Sequence, residues 1–363
     1  MSDKTAVLFS DMAMKALYIF SGKRSGKFTG TASVDYPDTQ LYGMNHLVAY
    51  GIEAESKELE SSWLGALLAR LIGFRAKHFL MYFVARRYDV VFGISVLYML
   101  AWKKFIPTKA KFIIFNSVLN RMFLVHKEGS LKRRLLLSLL READGVIFFN
   151  QSDKAAVVSH APFLAERSFV VPMGVDTHYH KPTHDGREGF YLSVGRDNGR
   201  DYRTVIEAAK KLTHEKFVIV CLPRNVAGLE IPPNVTIRHD IPRTELQSLY
   251  ARARALLLIL HDASNSEGTQ SSGPTVLLEA MAIGIPIIVS RKEYVREYGD
   301  DGTDMLMVDF YDADAIVHCI ARLSDSALRS SLARSARAKA EARFSTVQMA
   351  KSLADVFKTV YGT

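Results

Sequence analysis

Phe190-Tyr191-Leu192-Ser193-Val194-Gly195-Arg196-Asp197-Asn198-Gly199-Arg200 leads directly into residues 201–211, which contain Val205-Ile206-Glu207-Ala208. An apolar run, a polar loop with glycines and a helix-forming segment, in that order, read as strand, turn and helix. The same rhythm continues toward the C-terminus. Residues 217–222, 255–260, 286–289 and 305–308 read as strands, and 243–252, 275–282 and 312–323 as helices, with Pro242 just ahead of the first of these. Toward the N-terminus, 16–20, 90–92, 112–115, 146–149 and 170–171 read as strands. There 39–49 reads as a helix ending at Gly51, and 131–141 as a basic amphipathic helix. Short apolar runs alternating with helices indicate parallel sheets covered on both faces. The polar stretch 178–186 divides the two series. The expected fold is α/β, with two Rossmann-like domains facing across a cleft and the ligand at the carboxyl ends of the strands.

A length of 363 residues suits two domains, and 48% apolar with 23% charged residues excludes a mostly disordered chain. Two cysteines, Cys221 and Cys319, exclude a disulfide scaffold, and both fall in apolar patterns. The longest uncharged apolar stretch, 90–102, is too short for a spanning helix. Met1-Ser2-Asp3-Lys4 does not open a signal-peptide pattern. These readings lead to the expectation of a cytoplasmic protein. His178, His180 and His184 lack a cysteine or carboxylate pair at ligand spacing, so they read as a polar linker, and no metal site is expected.

The net charge of +9 is uneven. Residues 62–134 hold 14 basic side chains against Asp89 and Glu128, a net +12. Such an excess is either a solvated surface or a surface for an anionic partner. Leu64, Leu67, Leu68, Leu71 and Ile72 form one helical stripe, flanked by Trp63 and Phe74, with Arg70, Arg75 and Lys77 nearby and Phe79 beyond. That combination suits an anchor lying in an anionic membrane interface, although such a stripe also suits packing on the domain's own sheet. Single-stranded nucleic acid would call for an exposed aromatic platform, which the sequence does not show. The expectation is therefore an anionic membrane surface as partner and no nucleic acid.

Ser271-Ser272-Gly273-Pro274-Thr275-Val276-Leu277-Leu278-Glu279-Ala280-Met281-Ala282 turns abruptly from a polar loop into a helix. Pro274 suits the first helical position, and Gly273 lets a ligand approach the backbone. The free amides of a helix start favour an anion. Glu279 lies one turn beyond Thr275 on the same face, where a carboxylate can accept from ribose hydroxyls. Read alone, the stretch fits an ordinary loop-to-helix junction equally well. Arg196 and Arg200 shift the balance, because a pair of guanidinium forks in a loop after a strand matches a diphosphate.

Pro172-Met173-Gly174-Val175-Asp176, Val194-Gly195-Arg196 with Arg200 and Glu207, Ile241-Pro242-Arg243-Thr244-Glu245-Leu246 leading to Leu249-Tyr250, and Leu277–Pro286 occur in that order. From about 170 to 290 the chain resembles the family 4 retaining glycosyltransferases of the GT-B fold. Residues 344–361 resemble that family's closing helix, which returns to the first domain. Ser271 stands where the family has the first of two glutamates, Arg200 where it has a lysine, and Asn116-Ser117 where it often has a histidine.

The resemblance implies domains 1–177 for the acceptor and membrane, 178–343 for the nucleotide sugar, and 344–363 as the returning helix. It implies transfer of a sugar from a nucleoside-diphosphate sugar to an acceptor hydroxyl, with no cofactor beyond that donor. The acceptor would be a glycan or glycolipid, and the basic excess and apolar stripe over 62–134 add the expectation of a protein at the inner face of the membrane. Arg196 and Arg200 would stabilise the leaving diphosphate. Gly195, Ile241, Gly273, Pro274, Thr275 and Glu279 would hold the nucleotide, and Gly22, Asn116, Ser271 and Ser272 would face the donor sugar or acceptor. The rival readings are a catalytically weak protein that binds nucleotide sugar or scaffolds a partner, and a nucleic-acid-binding protein.

Overall fold

The computed structural model describes residues 14–20, 22, 36–59, 75–182, 189–262 and 272–362. The stripe at 64–72 with its flanking Trp63 and Phe74, His184 and Ser271 lie outside them. The chain forms two units. Unit one is Met1–Pro172 with Thr346–Thr363, and unit two is Met173–Ser345.

Unit one holds β1 (Met14–Phe20), β2 (Ile52–Glu58), β3 (Val90–Gly93), β4 (Lys111–Phe115), β5 (Gly145–Phe148) and β6 (Ser168–Val170) in the order β2-β1-β3-β4-β5-β6. Unit two holds β7 (Phe190–Val194), β8 (Lys216–Val220), β9 (Val235–Arg238), β10 (Ala255–Leu258), β11 (Ile287–Ser290) and β12 (Leu306–Val308) in the order β12-β11-β10-β7-β8-β9. Every pairing in both sheets is parallel. Both units are thus doubly wound α/β layers, as expected from the alternation. In unit two the order reverses between β7 and β10, and that is where such sheets bind ligands.

In unit one, helices Arg75–Ala85, Val96–Phe105, Leu119–Val125 and Leu131–Leu140 cover one sheet face, with Tyr82, Leu100, Phe123, Leu136 and Leu140 buried against Val91, Phe112 and Phe148. Helix Thr346–Tyr361 covers the other, burying Leu353 and Phe357 against Tyr18, Phe92 and Phe115. In unit two, Tyr202–Lys211 and Ala313–Arg322 cover one face, burying Val205, Ile206, Ile316 and Ile320 against Ile219 and Leu257. Cys221 and Cys319 are both buried free thiols.

The structure departs from the expectations in places. Residues 39–49 are not one helix but two 3-10 segments, Asp38–Leu41 and Met44–Tyr50, broken where Tyr42 and Gly43 take positive φ. A methyl group on Gly43 would lie 2.9 Å from the backbone of Ala350, so the break admits the C-terminal helix. Strands β2 and β9 and helices Val96–Phe105, Leu119–Val125, Gln151–His160 and Ser326–Arg343 are additional elements. The chain divides after Pro172, ahead of the polar stretch 178–186 that reads as a hinge. Val175 already belongs to unit two, donating its N–H to the Phe344 carbonyl at 2.7 Å. Arg337 then holds the Thr177 and His180 carbonyls at 3.0 and 2.6 Å.

Candidate active site

The loops after β7 and β10 are stitched together at the reversal of strand order. Asp201 N–H donates to the Ile259 carbonyl and His261 N–H to the Gly199 carbonyl, each at 3.0 Å. Ser290, at the end of β11, fixes the second loop by accepting from Leu260 N–H at 2.9 Å. The glycines make this closeness possible. A methyl group on Gly195 would stand 2.1 Å from Arg200 Nε, and one on Gly199 2.0 Å from Ser272 Oγ.

Arg200 lies beneath this junction, 5% exposed. Its Nε donates to the Val194 carbonyl at 3.0 Å, which fixes the plane of the guanidinium. Its Nη1 is 3.4 Å from Asp197 Oδ2 and is buried without a hydrogen-bond partner among the described residues. That nitrogen lies beside Gly273: a methyl group there would be 3.0 Å away. Gly273 takes φ +98 and precedes the helix Pro274–Ile283 without a capping side chain. A buried cation and an uncapped helix start therefore converge on one place, and both favour an anion. Tyr294 braces the approach by donating to the Ser272 carbonyl at 2.5 Å.

Arg196 is 63% exposed and pairs with Asp240 at 3.1 Å, bringing the first loop to the one carrying the half-buried Ile241. An exposed pair of this kind exchanges readily for another anion. Pro274 is buried at the helix start, and the Thr275 hydroxyl faces Met173 Sδ at 3.5 Å.

Glu279 is half-buried on that helix and accepts from the Tyr250 hydroxyl at 3.2 Å. Burial pushes its carboxyl up to about 7, although Tyr250 and the nearby Arg243 pull the other way. His180 Nε2 stands 3.7 Å from Glu279 Oε1. Burial, then Arg243 and Arg337, lower the His180 imidazole to about 4. It is neutral at pH 7, so these two side chains are not a charged pair. His180 is also not an element of a polar linker, since it is 5% exposed. Among the described residues no group of three or more His, Cys, Asp or Glu is placed to hold a metal.

The structure brings together Gly195, Arg200, Ser272, Gly273 and Pro274, with Arg196 beside the Ile241 loop. Asn116 lies in unit one, at the end of β4. It is buried, its Oδ1 accepts from Leu119 N–H at 3.0 Å, and its Nδ2 donates to Asn120 at 2.9 Å. Each end of the amide thus makes one hydrogen bond at the start of a helix. Gly22 has open space where a side chain would be. Sequence reasoning missed Lys292, buried with its Nζ donating to the His261 carbonyl at 3.2 Å, and the roles of Tyr294 and His180. The sequence signal for Lys292 was its position just past an apolar strand.

Residues 175–341 match the family model described as glycosyl transferases group 1. No curated protein sequence matches the chain. Among solved structures, Anabaena Alr3699/HepE in complex with UDP and glucose is similar, with 15% identity, TM-score 0.69, and coverage of 94% of this chain and 98% of that one. Sucrose-phosphate synthase from Thermosynechococcus elongatus is similar at 18% identity, TM-score 0.71, covering 96% and 99%. The lipopolysaccharide outer core galactosyltransferase WaaB is similar at 18% identity, TM-score 0.63, covering 95% and 99%. The shared architecture is that of the GT-B glycosyltransferases.

Proposed function

From a chain whose residues 175–341 match the glycosyl transferases group 1 family, we propose a retaining hexosyl- or related glycosyltransferase. It moves a sugar from a nucleoside-diphosphate sugar to a hydroxyl of a lipid-linked or cell-surface glycan precursor at the inner face of the membrane. The observation that carries this reading is the buried Arg200 nitrogen facing an uncapped helix start, where the strand order reverses. The bond from the anomeric carbon to the diphosphate breaks, the acceptor oxygen forms the new bond on the same face, and its proton passes to the departing diphosphate oxygen. Arg200, Arg196 and the amides after Gly273 hold the negative charge that grows on the diphosphate. Donors placed in advance for such charge are worth roughly 3–4 kcal/mol each. These groups supply the positive charge, so the proposal needs no metal. Glu279 accepts from the ribose, and the Ile241 loop borders the base. The net +12 over 62–134 supports the membrane location.

Calorimetric titration with UDP, GDP and their sugars, followed by turnover of the bound donor, tests the reading. Binding with donor turnover is the expected result. Binding without hydrolysis or transfer would favour the scaffold, and no binding to any nucleoside diphosphate would overturn the assignment of this site.

A further inference from the structure

Among its described residues, unit one has a surface that its own fold does not use. Helices Leu119–Val125 and Leu131–Leu140 bury Leu119, Phe123, Leu136 and Leu140 in the core, and Met122, Leu137 and Leu139 pack against it. Their inward faces are complete with these residues. Leu124 (74% exposed), Val125, Leu131 (80% exposed) and Leu135 are left in solvent. Singly exposed apolar side chains are ordinary, but four around one helix–helix turn are not.

The turn that presents them is fixed. Arg133 is buried and donates from Nη1 to the Phe123 carbonyl at 3.0 Å and the His126 carbonyl at 3.3 Å. Its guanidinium lies over the Phe123 ring, 5.0 Å from the centroid. Ser130 caps the second helix by accepting from Arg133 N–H. One internal cation thus joins the end of the first helix to the start of the second. The aliphatic groups are held out on a stapled corner.

The surrounding charge identifies the occupant. Arg121, Lys127, Lys132 and Arg134 are exposed around the corner, and Glu128 is the one carboxylate between residues 119 and 141. Lys104, at the end of the neighbouring helix Val96–Phe105, donates to Ser138 at 2.9 Å, and the exposed Phe105 follows it. Branched aliphatic groups ringed by Lys and Arg fit hydrocarbon below a layer of phosphates. A nucleic acid would instead call for stacking platforms. An acidic protein would leave four aliphatic groups to find apolar partners of their own.

We propose that the corner formed by Leu124, Val125, Leu131 and Leu135, with Arg121, Lys127, Lys132 and Arg134 around it, docks on an anionic phospholipid bilayer. This names the contact surface for the membrane location given above, and rests on it. The aliphatic groups enter the acyl boundary while the cations engage headgroup phosphates.

The test is sedimentation of the full chain with phosphatidylcholine vesicles, with and without about one-third phosphatidylglycerol, at about 0.1 and 0.5 M salt. Variants are Leu131→Glu with Leu135→Glu, Lys132→Glu with Arg134→Glu, and Leu124→Ser with Val125→Ser. All six positions are exposed, and circular dichroism with thermal unfolding confirms folding of each variant. The wild type should sediment with the anionic vesicles at low salt, and each double variant should lose about tenfold or more of that binding. Wild-type binding that all three variants retain would overturn this surface and leave the membrane location standing. Loss in the charge variant alone would overturn insertion of the aliphatic groups. A wild type that ignores anionic vesicles but binds RNA, or binds neither, would overturn both the surface and the membrane location.

Discussion

Glu279 sets folding against binding. Its carboxyl is raised to about 7, whereas the unfolded chain ionises near the ordinary value of 4.5. Between those values the native state holds a proton that the unfolded state has released, so stability falls as pH rises from 4.5 to 7 and stays lower above. Glu279→Gln removes this penalty and keeps an acceptor for the Tyr250 hydroxyl. It should stabilise the empty protein by about 2–3 kcal/mol at pH 8 and by less than about 1 kcal/mol at pH 5, measured by urea denaturation. Its nucleotide affinity should be lower than the wild type's at pH 8. The wild type should bind more tightly at pH 8 than at pH 6, since the ionised carboxylate is the better acceptor for ribose, and the variant should be flat over that range. Arg196 and Arg200 separate differently. Arg196 is exposed and its pair with Asp240 adds little to stability, so Arg196→Ala should lower kcat/KM by about 100-fold or more while leaving Tm unchanged. Arg200→Ala removes a buried cation that also anchors its loop, so activity and Tm should fall together.

The loop–helix junctions explain what could be read from the sequence. Apolar runs such as 190–194 and 255–258 are buried from both sides, so composition alone marks them as strands. β2 escapes that rule because it is an edge strand, with Ile52 buried and Glu53, Glu55, Ser56 and Lys57 exposed. Helix Ser326–Arg343 escapes because it buries only small residues and Leu332. In the site, Gly and Arg in the loop after a strand and Glu one turn into a helix show their chemistry locally. His180 and Asn116 do not, because burial and partners brought in by the tertiary fold decide what they do. Gly273 shows both kinds of constraint. Its φ of +98 already excludes most residues, and a side chain would also press on Arg200 and Tyr294. Gly273→Ala should cost about 1–3 kcal/mol and weaken UDP binding at least about tenfold. Gly228 has φ +74 with open space around it, so Gly228→Ala should show the strain cost without the loss of affinity, by the same denaturation and titration measurements.

At the scale of the whole molecule, the two units differ in what stabilises them. Unit one is completed by residues from the far end of the sequence. Thr346 donates to Asp38 at 3.1 Å, Tyr361 donates to Asp89 at 3.0 Å, and Met349, Leu353 and Phe357 sit in the core with Tyr18, Phe92 and Phe115. The Phe357 ring lies 5.5 Å from that of Phe92 and 6.3 Å from that of Tyr18. Truncating a buried aromatic costs roughly 3–5 kcal/mol, a large part of the stability of a domain of this size. A nucleoside diphosphate that binds only unit two stabilises that unit by mass action and adds nothing directly to unit one. Phe357→Ala should therefore split thermal unfolding into two steps. The earlier step, displaced downward from the wild-type transition, should not move when UDP is added. The later step should rise with UDP concentration. Scanning calorimetry at several UDP concentrations distinguishes the outcomes. A single transition in the variant that shifts as a whole with UDP would mean that the two units unfold as one cooperative body, and that the C-terminal helix stabilises the entire chain rather than unit one alone.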